Sequence, residues 1–259
     1  MGAMCLVALA WNTHPRWRLL LAGNRDEFHA RPTAALAVWT DARGVIAGRD
    51  LQSGGSWAGA GPAGRVAVVT NVRDPGLAAP PGAPSRGALV AGFLEGEASA
   101  AHAAEDLHAQ AGRFAPFNLL LADGDQCRYV GNWPAPIQRV VPAGIHGVSN
   151  GPFDDPWPKT RQLCAALERW LQGPAEDPAD LWQALANEHQ APDAELPSTG
   201  VPLDLERRLS SAFIRDGRYG TRASTVVAID HDGAGWIAER RFGPDGRFDG
   251  QTRIALPAA

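Results

Sequence analysis

Short apolar runs of strand length, broken by polar or glycine-rich segments, dominate the first part of the chain. Cys5 to Trp11 (CLVALAW) and Trp17 to Gly23 (WRLLLAG) flank the polar, proline-containing Asn12-Thr13-His14-Pro15-Arg16, which predicts a β-hairpin. Gly44 to Gly48, Gly55 to Ala60 and Arg65 to Val72 read as further strands bounded by glycines or a Gly-Pro turn. The proline-rich stretch from Arg73 to Ser85 predicts a loop. Helical spacing then sets in over 86–94, which Ser85 can cap, and over 98–112. Strands return at 117–122, 126–131 and 145–150, followed by helices over 159–171 and 178–189. A Pro-rich loop over 191–202 and a short helix within 203–213 precede a closing strand pair, 218–230 and 236–242, turned at His231-Asp232-Gly233. Blocks of strands alternating with blocks of helices, without βαβ units, predict an α+β sandwich of antiparallel sheets. No internal repeat is visible, so residues 4–259 read as one domain, with 1–3 as a cloning remnant or N-terminal extension.

Composition narrows the function classes. A chain of 27.4 kDa can bury about three-quarters of its unfolded surface, enough for a core without staples. Hydrophobic content of 45% with 20% charged residues excludes wholesale disorder, and a net charge of −4 excludes a general nucleic-acid binder. Lys159 is the single lysine among 24 basic residues, an imbalance that fits biased coding composition. The three cysteines, Cys5, Cys127 and Cys164, have no CxxC spacing, which points to a reducing, cytoplasmic setting and away from a disulfide framework or zinc site. No apolar run is long enough to span a membrane, and the first residues lack a secretory-signal layout. The scattered histidines give no metal-ligand spacing. Gly54 to Gly59 lacks the GK[ST] ending of a phosphate loop.

Candidate chemistry gathers at strand ends. Asn24-Arg25-Asp26-Glu27-Phe28 follows an apolar strand directly. If the hairpin turns near His14, Cys5 faces the Gly23-to-Arg25 stretch, at the ~4.5–5.5 Å Cβ spacing of opposed residues. A guanidinium so placed lowers a thiol pKa. Thr70-Asn71, Ser149-Asn150 and Thr221-Arg222 offer amides for an oxyanion and a guanidinium for a carboxylate, although each singly reads as a cap or turn. Asp26 and Glu27 alternate on an extended strand, so only one can face a given cleft. Trp57, beside glycines, is a candidate cleft wall, whereas Cys127 and Cys164 read as core packing.

Six ordered blocks carry a resemblance. They are Met4-Cys5-Leu6-Val7, Asn24-Arg25-Asp26-Glu27-Phe28 with Arg31-Pro32, Gly54-Gly55-Ser56-Trp57, Val69-Thr70-Asn71, Gly147-Val148-Ser149-Asn150 with Pro156-Trp157 and Lys159, and Tyr219-Gly220-Thr221-Arg222. With them the chain resembles the NRDE family, which is in turn similar to the N-terminal nucleophile cysteine hydrolases. That likeness implies an αββα four-layer sandwich with two stacked antiparallel sheets. It also implies hydrolysis of the C–N bond of a linear acyl amide by Cys5, with Arg25, Asp26, Asn150 and Arg222 as its catalytic partners. Asn24, Glu27, Trp57 and Asn71 are the substrate-binding candidates beside them. Arg25 and Asp26 are adjacent here, where the hydrolases space the two, which keeps Glu27 as the alternative acid. Four residues precede Cys5, so the sequence as written has no free cysteine amine. Family links to haem trafficking and lipid metabolism leave two alternatives: a non-catalytic carrier of haem or an acylated ligand in the same cleft, and an inactive scaffold. No cofactor or metal is implied; haem enters only as a ligand.

Overall fold

The computed structural model describes residues 4–258; the expected N-terminal extension, 1–3, lies outside the described residues. The predicted hairpin forms β1 (Met4–Trp11) and β2 (Trp17–Phe28), with Cys5 opposite Arg25 and Trp11 opposite Leu19. β2 also pairs with β11 (Tyr219–Asp230), which turns back through β12 (Gly235–Phe242) to β13 (Phe248–Leu256). With β10 (Gly144–Val148) on the outer side of β1, these strands make a six-stranded antiparallel sheet.

A second, seven-stranded sheet is a meander in sequence order. Its strands are β3 (Thr33–Val38), β4 (Ile46–Asp50), β5 (Ala58–Ala60), β6 (Val66–Asn71), β7 (Phe117–Ala122), β8 (Cys127–Gly131) and β9 (Ile137–Val140). Helices α1 (Gly87–Glu95) and α2 (Ala100–Gln110) cover this sheet. Helices α3 (Pro158–Gln172) and α4 (Ala179–Leu185) cover the first, and α5 (Leu203–Leu209) lies near its β2–β11 end.

Three apolar clusters separate the four layers. Val7, Leu9, Leu19, Leu21, Val227 and Ile229 pack against Val66, Val68 and Leu120 between the sheets. Leu6, Ala8, Leu20, Ala22 and Val226 meet Leu163, Leu167 and Trp182 on the outer helices. Ala67, Val69, Leu119 and Leu121 meet Val90, Phe93 and Leu94 on the other side. The first sheet is therefore apolar on both faces, as a sheet between two covering layers must be. Odd-numbered residues of β1, and of β2 from Leu19 on, face the second sheet and even-numbered ones face the helices; Trp17, before an irregularity in the β2–β11 register, packs on the helix side.

The expected architecture, two stacked antiparallel sheets between helical layers, is the one found. Differences lie at the edges. β3, β9 and β13 were not expected; all three are outermost strands, and exposed Val38, Ile137, Val140 and Phe248 dilute their pattern. The strand expected over 55–60 shortens to β5, because Gly55 is held by the start of α1 through the Ser56 N–H to Gly87 carbonyl bond. Among the described residues, no helix is long and apolar enough to cross a membrane.

Candidate functional site

Parity along β1 and β2 decides which polar groups share a cleft. Cys5, Arg25 and Glu27 project between the sheets at the end where the apolar core stops, and there they line a cavity of about 550 Å³ with Arg31, Trp57 and Asn71. The Arg25 guanidinium lies 4.8 Å from the Trp57 ring centroid, in cation–π contact. Trp57 gets this close to β4 only because position 48 is glycine: a Cβ there would sit 2.1 Å from the indole. Glu27 lies between two guanidinia, its Oε2 3.6 Å from Arg25 and 3.7 Å from Arg31. Arg31 is held in turn by Asp50, both Nε and Nη2 donating to Oδ2 at 2.8 and 2.6 Å.

Asp26 has the opposite orientation. It pairs across to Thr221 and Met4, is fully buried toward the helices, and does not line the cavity. Its Oδ1 accepts a 2.6 Å bond from the Thr221 hydroxyl, while Oδ2 has no hydrogen-bond partner among the described residues. Burial pushes this carboxyl up to about 6, against the opposing pull of Lys159, the Thr221 bond and Arg25. Lys159 on α3 is equally buried. Its Nζ donates to the Leu209 carbonyl at 2.9 Å, and burial brings it down to about 8 despite Asp26. Of the two acids, the one the resemblance sets beside Cys5, Asp26, therefore turns away from the cavity, and the strand's period of two puts the alternative acid, Glu27, on the Cys5 side.

Three other expected residues also lie off the cavity wall. Asn24 faces the helices, where its Nδ2 donates to the Leu185 and Ala212 carbonyls and its Oδ1 accepts from Ser224. Arg222 is the extra residue of a β-bulge between Thr221 and Ala223, and its Nη1 holds the carbonyls of Phe28, His29 and Arg31. It fixes the chain leaving β2 rather than presenting a fork to a ligand. Asn150 borders two neighbouring cavities instead, and its Nδ2 donates to the Asn71 carbonyl at 3.0 Å. Asn71 itself lines both the Cys5 cavity and the chamber beside it.

A polar relay fixes Cys5 against the second sheet. Tyr129 donates to Asn118, Asn118 to Thr70, Thr70 to the Ser149 carbonyl, and the Ser149 hydroxyl to the Cys5 carbonyl. Sequence reading singled out Thr70 and Ser149 but not Asn118 or Tyr129, whose strands read simply as apolar. It also missed Arg86, which lines the cavity from the residue just before α1.

Cys5 is 6% exposed, and burial pushes its thiol up to about 12, with Asp26 and Glu27 acting the same way. Arg25 and Arg86 pull downward, the direction expected of Arg25, but burial outweighs both. With Met4 ahead of it, the sulfur is a protonated thiol at neutral pH. Burial also raises the thiols of Cys127 and Cys164 to about 12.

Residues 4–244 match the family described as Transport and Golgi organisation 2. A Transport and Golgi organization protein 2 homolog from Bos taurus is 32% identical over 260 residues, covering 92% of each chain. Its Homo sapiens counterpart is 29% identical over the same share, and the Drosophila melanogaster protein is 28% identical over 88% of this chain and 89% of its own. Among solved structures, the Caenorhabditis elegans ortholog of N-acylethanolamine-hydrolyzing acid amidase shares the fold. The TM-score is 0.50 at 13% identity, over 86% of this chain and 92% of that one.

Proposed function

From the premise that the chain belongs to the Transport and Golgi organisation 2 family, on a fold shared with an acid amidase, we propose that it hydrolyses the C–N bond of a linear acyl amide. Cys5 is the nucleophile, in a form of the chain that begins at Cys5. The observation that carries this reading is the pair of environments around the start of β1. The Cys5 side chain lines the cavity, while one rung along the ladder a buried Asp26 oxygen has no hydrogen-bond partner among the described residues. Removal of residues 1–4 leaves an α-amine on Cys5 beside that rung, a donor for the Asp26 oxygen that Lys159, committed to the Leu209 carbonyl, does not bond.

The chemistry then balances within one residue and its neighbours. The free amine, with an ordinary pKa of about 7.7–8.0, takes the thiol proton directly or through water. The thiolate attacks the amide carbonyl, and the oxyanion is met by donors on the cavity wall, where Asn71 is held by Asn150. Collapse breaks the C–N bond, and the leaving amine takes the proton from the α-ammonium. A water molecule, deprotonated by the same amine, cleaves the thioester to release the acid and restore the thiol. Arg25, stacked on Trp57 and facing Glu27, keeps the sulfur beside a positive charge throughout.

One observation favours the alternative of a carrier for haem or an acylated ligand: with Met4 in place the thiol is buried and protonated, so a ligand held in the cavity of that form would not be turned over. The deciding experiment compares the full chain with a chain cut to begin at Cys5, each given a panel of N-acyl amides that includes an N-acylethanolamine, with released acid read by mass spectrometry. Release by the trimmed chain alone, lost in Cys5→Ala, supports hydrolysis. Tight binding without release by either form supports the carrier.

A further inference from the structure

Three guanidinia line the Cys5 cavity. Arg25 faces Glu27 and Arg31 pairs with Asp50, but Arg86 has no carboxylate within 4 Å among the described residues. Its one hydrogen bond there runs from Nη1 to the Pro116 carbonyl at 3.0 Å, which leaves the other donors of the fork uncommitted. A cation on a half-dry wall whose nearest acid, Glu27, acts only at long range and already faces Arg25 and Arg31 is better satisfied when a ligand supplies an anion. Its backbone is held firmly: a Cβ on Gly55 would fall 2.3 Å from the Gly87 carbonyl carbon, and Ser56 N–H donates to the Gly87 oxygen.

Arg86 also borders a second chamber of about 500 Å³ that shares Asn71 and Ala115 with the first. Pro75, Leu77, Val201 and Leu205 form the apolar part of its wall and Arg73, Asp74 and Asn150 the polar part, and Leu77 is 45% exposed. A guanidinium with no ion pair among the described residues therefore borders both the thiol cavity and a partly apolar chamber.

We propose that this cleft takes an N-acylated amino acid, its carboxylate paired with Arg86 and its acyl chain in the Leu77–Leu205 chamber. In such a molecule the carboxylate carbon is two bonds from the amide nitrogen, so the amide carbonyl lies beside Arg86 at the junction of the two cavities and the acyl chain turns from there into the second. The placing of that carbonyl rests on the amidase reading above; the preference for an acidic amphiphile does not. A guanidinium–carboxylate pair is the strongest neutral-pH recognition the wall can offer, through two parallel N–H···O bonds.

The test is calorimetric titration of the full chain, in which Met4 precedes Cys5, with N-dodecanoylglycine, neutral N-dodecanoylethanolamine, dodecyl phosphate and N-acetylglycine. N-Dodecanoylglycine is expected to bind at least about ten-fold more tightly than the neutral amide, the scale of a hydrogen-bonded charge pair. Arg86→Gln should abolish that preference and leave the neutral amide unchanged, and Arg86→Lys should retain part of it. Leu77→Gln, uncharged and at an exposed position, should weaken the dodecanoyl ligands but not N-acetylglycine. Equal binding of acidic and neutral amides, or a preference that survives Arg86→Gln, overturns the proposal. Tighter binding of dodecyl phosphate than of the glycine amide overturns the carboxylate assignment. If Arg86→Gln fails to fold, the headgroup comparison in wild type and Arg86→Lys still decides. A preserved preference in a protein whose trimmed form turns over no amide removes the amidase reading alone.

Discussion

The Ser149 hydroxyl donates to the carbonyl oxygen of Cys5 at 2.8 Å, and the Ser149 carbonyl accepts from Thr70 of the opposite sheet at 2.6 Å. The start of β1 is thereby fixed to both sheets by one residue. Ser149→Ala leaves the buried Cys5 carbonyl without this donor, and a loss of about 1–3 kcal/mol is expected on urea unfolding. Thr70→Val, which strands both the Ser149 carbonyl and one Asn118 donor, should cost at least as much. Losses below 0.5 kcal/mol in both, roughly the level of a surface substitution, would show that the relay does not hold the sheets together.

Arg73 and Glu206 form a 2.7 Å ion pair with both side chains 4% exposed. Arg73→Met should destabilise by about 3–5 kcal/mol, because Glu206 is left as a buried, unpaired charge. Arg73→Met with Glu206→Gln should regain most of that loss, since the glutamine oxygen can still accept from the Thr199 N–H. A double variant no more stable than Arg73→Met in denaturant titration would place the energy in packing against Trp157 instead.

Glu239 is 1% exposed, accepts from the Leu36 N–H at 2.9 Å, and is pushed by burial up to about 7 from 4.5. Its folded pKa exceeds the unfolded one, so between these values the folded state holds the extra proton. Its contribution is complete below pH 4.5 and is lost as pH rises through 7. Glu239→Gln should match wild type near pH 4 and exceed it at pH 8, by an amount on the order of 3 kcal/mol at most. A variant less stable than wild type at pH 8 would mean that the ionised carboxylate is itself a net contributor, through Arg241.

Asp26 and Glu27, neighbours in sequence, are expected to fail differently. In a chain that begins at Cys5, Asp26→Asn removes the partner of the α-amine and should lower kcat by about 10²-fold or more with an altered pH profile. Glu27→Gln loosens Arg25 and Arg31 on the cavity wall and should act mainly on KM. Inverted phenotypes would assign the acid to Glu27.

Both acids, and the facing of Cys5 and Arg25, were legible as far as local rules reach. The turn near His14 fixes the hairpin register, and the register fixes the pairing. What the sequence withheld was parity. Leu6 and Val7, or Leu20 and Leu21, are equally apolar because both faces of the first sheet are covered, so nothing in the pattern says which face holds the cleft. That is why Asn24 and Asp26 were grouped with a cavity they turn away from. Arg222 was misplaced for another reason: a bulge adds one residue, and a motif read along the chain does not show it. Arg86 was hidden because its unpaired state depends on Glu27 and Asp50 being taken by other arginines, a fact of three-dimensional arrangement alone.

The most direct test of the amidase reading is the mass of the enzyme itself. A chain cut to begin at Cys5, mixed with an activated acyl amide and quenched in acid within its first turnovers, should gain the mass of one acyl group. Peptide mapping should place it on Cys5 as a thioester cleaved by hydroxylamine, with none on Cys127 or Cys164. The full chain under the same conditions should gain nothing, because its Cys5 nitrogen is an amide with no basic lone pair. An acyl adduct of equal yield on the full chain, or its absence from a trimmed chain that still binds the amide, would contradict the proposed nucleophile.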